Sequence, residues 1–94
     1  MPTKYPGLVV TLKPVSPNIT REDGLEELKR VVGFRGTVYD NISQEDTISK
    51  YSYLVEVADD NDWKLPLKQK VTTLAIWIKA KVKTSFEIVS VVEV

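Results

Sequence analysis

The chain contains neither cysteine nor histidine. The first absence excludes disulfides, thiolate nucleophiles and zinc–thiolate sites. The second removes the commonest general base and the commonest metal ligand. Charge of one sign is also missing: thirteen basic residues balance thirteen acidic ones, so no net field draws the chain to nucleic acid or to an anionic membrane. No apolar run approaches bilayer length, and the opening MPTKYPGLVV holds too short an apolar stretch for a secretory signal. A soluble, cytoplasmic protein with no membrane partner is the expectation. The triplets Asn18-Ile19-Thr20 and Asn41-Ile42-Ser43 then read as chance matches to the glycosylation pattern.

What is present suits one folded domain over residues 1–94: 43% apolar and 28% charged residues, values ordinary for a globular chain. Leu8, Val10 and Leu12 alternate in a first strand that Pro14 and Pro17 close. Thr20 followed by Asp23 is a variant capping box opening a helix. Leu25, Leu28 and Val32 form its apolar stripe, acids crowd its start, and Gly33 stops it. Thr37-Val38-Tyr39 and Tyr51 to Val57 are strand patterns joined by a polar loop, hence a hairpin. Phe86, Ile88, Ser90, Val92 and Val94 alternate in a last strand against Glu87, Val89, Val91 and Glu93.

Residues 64–83 fit two templates. As a strand, Leu74, Ile76, Ile78, Ala80 and Val82 alternate with lysines. As a helix over 66–83, Leu67, Val71, Leu74, Ala75, Ile78 and Val82 fall within an arc of about 100°. The helix accounts for more of the segment and leaves only Ile76 on a polar face. The element order then becomes βαββαβ, a ferredoxin-like split βαβ in the α+β class: an antiparallel four-stranded sheet with two helices on one face. If residues 72–83 were a strand, a small five-stranded SH3- or OB-like barrel with one inserted helix would follow. In the first arrangement Leu25, Leu28, Val32, Leu67, Val71, Leu74 and Ile78 pack on Leu8, Val10, Leu12, Tyr53, Val55, Phe86 and Ile88.

Nothing in the chain converges on catalysis. There is no GxSxG elbow, no Walker loop and no GxGxxG, and the pairs Glu22-Asp23 and Glu26-Glu27 read as acids of the first helical turns. Asp59-Asp60-Asn61-Asp62 offers oxygen ligands but lacks the glycine and closing glutamate of a calcium loop, so it reads as a solvated turn. No enzyme, no metal site and no cofactor are expected.

Two binding readings stay open. In the ferredoxin-like arrangement Val9, Leu54, Val89 and Val91 lie on the sheet face without helices, a surface for a protein partner or a second copy of the chain. The alternative is a nucleic-acid contact through Lys68, Lys79 and Lys83, because residues 64–94 hold six bases and two acids while residues 1–63 hold seven and eleven. The strand-three pattern of RRM-type RNA-binding domains is met only in part at Ser49 to Glu56. Two tyrosines have the right spacing, but the basic-Gly start is absent, and Tyr51 and Tyr53 share a face with Val55 and Val57, toward the core.

Overall fold

A computed structural model describes residues 7–40, 50–58 and 63–93. The elements are β1 (Gly7–Pro14), α1 (Arg21–Val32), a single 3-10 turn (Gly33–Arg35), β2 (Gly36–Asp40), β3 (Tyr51–Val57), α2 (Leu67–Lys81) and β4 (Phe86–Glu93). The four strands form one sheet in the order β2-β3-β1-β4, every neighbouring pair antiparallel. Among the described residues the sheet is open, with β2 and β4 at its edges, and no barrel closes. The molecule is an α+β structure compatible with a ferredoxin-like arrangement.

Residues 72–81 are helical, which removes the barrel alternative. The helical period wins because Val71, Leu74 and Ile78 reach one layer with the sheet, while Ile76 points to solvent. The helix is shorter than the 66–83 expected: Pro66 is its N-cap and Val82, in extended backbone, its C-cap. At the other helix the capping box is complete. Thr20 Oγ1 accepts from the Asp23 amide at 3.2 Å, and Asp23 accepts from the Thr20 amide at 2.8 Å. Gly33 ends α1 at φ +59°, a conformation that favours glycine, and its N–H donates to the Lys29 carbonyl.

Leu28, Val31 and Val32 of α1 and Val71, Leu74 and Ile78 of α2 share one core with Leu8, Val10, Leu12, Val38, Tyr53, Val55, Val57 and Phe86 of the sheet. Both helices therefore cover the same face. Leu67, expected in this core, lies exposed at the start of α2, while Leu25 and Ile88 are only partly buried. Gly24 is fully enclosed for a specific reason. A Cβ there would lie 2.8 Å from Cζ of Tyr53 and closer still to its hydroxyl. The bare glycine lets that hydroxyl donate to the Arg21 carbonyl at 2.6 Å, tying β3 to the first turn of α1.

The simple alternation expected along β4 does not hold. Val10 pairs with Val91 and Thr11 with Ser90, but Leu12 pairs with Ile88, so Val89 is an extra residue in a β-bulge. A bulge inverts the facing of everything beyond it. Val91 therefore faces the helices and packs against the core, and Glu93, opposite Leu8, follows it. Val92 takes the place expected of Val91 on the helix-free face. Asn41-Ile42-Ser43, Asp59-Asp60-Asn61-Asp62 and Val94 lie outside the described residues. No described helix is long and apolar enough to cross a membrane.

Candidate functional site

Register assigns the helix-free face residue by residue. Tyr39 of β2 stands opposite Leu54 of β3, Leu54 opposite Val9 of β1, and Val9 opposite Val92 of β4. These four side chains make a continuous apolar row across every strand of the sheet. Tyr39, Leu54 and Val92 are exposed, Val92 by 54%, and Val9 is half-buried between them. The bulged Val89 is also exposed. Beside the row runs a line of hydroxyls, Ser52, Thr11 and Ser90, with Thr11 Oγ1 and Ser52 Oγ 3.4 Å apart. Thr37 and Glu56 flank the row on its other side, and the Lys13–Glu87 pair closes the hydroxyl end. An apolar centre with a polar rim is the anatomy of a contact surface.

Of the four residues expected here, Val9 and Leu54 sit in the middle of the row and Val89 at its bulged end, while Val91 turns to the core. Tyr39 and Val92 complete the row and were not anticipated. Tyr39 was within reach of simple alternation: Val38 is buried, so its neighbour must point outward. Val92 was hidden, because a bulge has no reliable signature in a run of valines.

The lysines do not gather into one surface. Lys68 and Lys79 are exposed on one side of α2, about 16 Å apart along its axis. Lys83 lies beyond the helix. Its amide donates to Glu27 Oε2 at 2.9 Å and its ammonium is 3.9 Å from Glu27 Oε1. Glu27 is only 5% exposed. It accepts two hydrogen bonds from Arg30, at 2.9 and 2.6 Å, and Arg30 also donates to the Lys81 carbonyl at 3.0 Å. This cluster clasps α1 to the C-terminal end of α2. The Arg30 guanidinium holds the Glu27 carboxyl below its ordinary value, against burial, with further help from the Lys83 amide and the charges of Arg30 and Lys83. An open groove of about 480 Å³ beside it is lined by Ile19, Asp23, Glu26, Glu27, Arg30, Lys83, Ser85 and Phe86, and there the Glu27 carboxylate oxygens are committed to Arg30 and the Lys83 amide. The first-turn reading of Glu27 missed this role, which needs the α2–β4 connection 56 residues away.

A third feature is aromatic. The Arg35 guanidinium carbon lies 4.8 Å from the Phe34 ring centre, 4.7 Å from that of Trp77 and 6.0 Å from that of Trp63. Lys81 Nζ lies 5.4 Å from the Trp77 ring centre. Among the described residues no group of three or more acidic side chains is placed to hold a metal ion. No protein-family model, no curated protein and no solved structure matches this chain.

Proposed function

We propose that this protein is a non-catalytic interaction module of ferredoxin-like fold that works through protein–protein contacts on the helix-free face of its sheet, with a second copy of the chain as its partner. The observation that carries the reading is the unbroken Tyr39–Leu54–Val9–Val92 row. Four strands about 4.8 Å apart, the longest spanning about 26 Å, give a face of about 500 Å². Two such faces bury about 1,000 Å², the lower bound of a specific interface, so the pair is weak and reversible. The row suits self-pairing: sheets packed face to face lie nearly aligned, and a two-fold axis along the row sets valine, leucine and tyrosine against their own counterparts with the hydroxyl line outside. The lack of histidine and cysteine, and the engagement of Glu27, Asp23 and Asp40 in structural bonds, support a role without catalysis. A location in the cytoplasm goes with this proposal.

Sedimentation across a concentration series tests it. The wild type should pass from monomer to dimer in the micromolar range, with little effect of salt because apolar burial drives the contact. Leu54→Lys should remain monomeric and folded. A wild type that stays monomeric at all concentrations, or a dimer that Leu54→Lys leaves intact, refutes the reading.

A further inference from the structure

We propose a second binding site, independent of the sheet face, at which Phe34, Arg35, Trp77 and Lys81 take single-stranded nucleic acid. The guanidinium carbon of Arg35 lies over the rings of both Phe34 and Trp77, 4.8 and 4.7 Å from their centres, and its backbone carbonyl is fixed by the Ala58 amide at 2.8 Å. A guanidinium packed against aromatic rings still carries all its N–H donors in its own plane. Among the described residues those donors have no acceptor and no ion-pair partner. An arginine held against rings in this way is matched to phosphate, which it binds through two parallel hydrogen bonds. Lys81, exposed and 5.4 Å from the Trp77 ring centre, supplies a second cation on the same surface.

The rings decide the class of ligand. Phe34 is 60% exposed, an aromatic side chain left in water directly beside the cation. A ligand that alternates anion and flat ring meets both features, and a single strand with unstacked bases is such a ligand. An acidic peptide would meet the cations and leave Phe34 without a partner. The site differs from Lys68, Lys79 and Lys83: among the described residues the first two have no neighbouring ring contact, and the third is engaged by Glu27.

Fluorescence anisotropy of a labelled short oligothymidylate, read with tryptophan quenching over a range of salt, tests the assignment. Two phosphate contacts give a slope of log affinity against log salt of about −1.4. Phe34→Ala should weaken binding about tenfold by removing a stacking ring. Arg35→Ala should weaken it and flatten the slope by about 0.7. Phe34 is exposed, so its variant keeps the fold even if the arginine variant does not. Lys68→Ala with Lys79→Ala should leave affinity nearly unchanged, and Leu54→Lys should bind like the wild type whether or not the sheet face pairs. Absence of binding at low salt overturns the proposal, as does binding that ignores Phe34→Ala. Competition by a polyglutamate peptide as effective as that by unlabelled oligothymidylate also overturns it, assigning the surface to acidic peptides.

Discussion

Replacing Val91 and Val92 separately by aspartate tests the bulge and the sheet face together. Strict alternation along β4 would put Val91 outside and Val92 inside; the bulge at Val89 reverses this. Val91 packs against the core opposite Val10. Val91→Asp forfeits roughly 1–2 kcal/mol of apolar burial and forces a carboxylate toward the layer between sheet and helices. Because Val91 is only half-buried, the charge retains some water, and the total cost should be about 3 kcal/mol. Val92 is more than half exposed, so Val92→Asp should cost about 0.5–1 kcal/mol, mostly strand preference. Urea unfolding at high dilution, where the proposed pairing would be absent, should separate the two by about 2 kcal/mol. At higher concentration the wild-type midpoint should rise, because dimerisation stabilises the folded state, and the Val92→Asp midpoint should not. Equal costs for the two variants, or the larger cost at Val92, would refute the bulged register. A Val92→Asp midpoint that still rises with concentration would refute the role of the row.

Gly24→Ala should destabilise the protein by about 1–3 kcal/mol, although alanine in a helix interior normally gains about 1 kcal/mol over glycine, because the added methyl collides with Tyr53 and displaces its bond to the Arg21 carbonyl. The cost should shrink in a Tyr53→Phe background, where the closest atom is gone, and unfolding of the four members of that cycle measures it. Glu27 titrates below its ordinary value of 4.5 in the folded state, so its stabilisation is complete above that pH and is lost as the pH falls through the lowered folded value, where the unfolded chain binds more protons. Thermal midpoints from neutral pH down to about 3 should therefore fall less steeply for Glu27→Gln than for the wild type, and parallel profiles would show that the clasp contributes nothing.

Local rules fixed most of the elements. The capping box at Thr20, the alternation of Leu8, Val10 and Leu12, the facing of Tyr53 and Val55, and the helical arc through Val71, Leu74 and Ile78 each depend on residues a turn or a pleat apart, and such spacings are legible in a chain read alone. They also place Val9 and Leu54 on the uncovered face once β1 and β3 are paired. Three features were decided only by tertiary contact. The bulge at Val89 arises from the pairing of β4 with β1, and nothing in Ile88-Val89-Ser90-Val91-Val92 marks which residue is extra. The depth of Glu27 depends on Lys81 and Lys83, more than fifty residues away, where an isolated helix would leave that carboxylate in water. The cage around Arg35 unites Phe34 in a 3-10 turn with Trp63 before α2 and Trp77 within it, three rings that no spacing rule connects because the fold, not the chain, makes them neighbours.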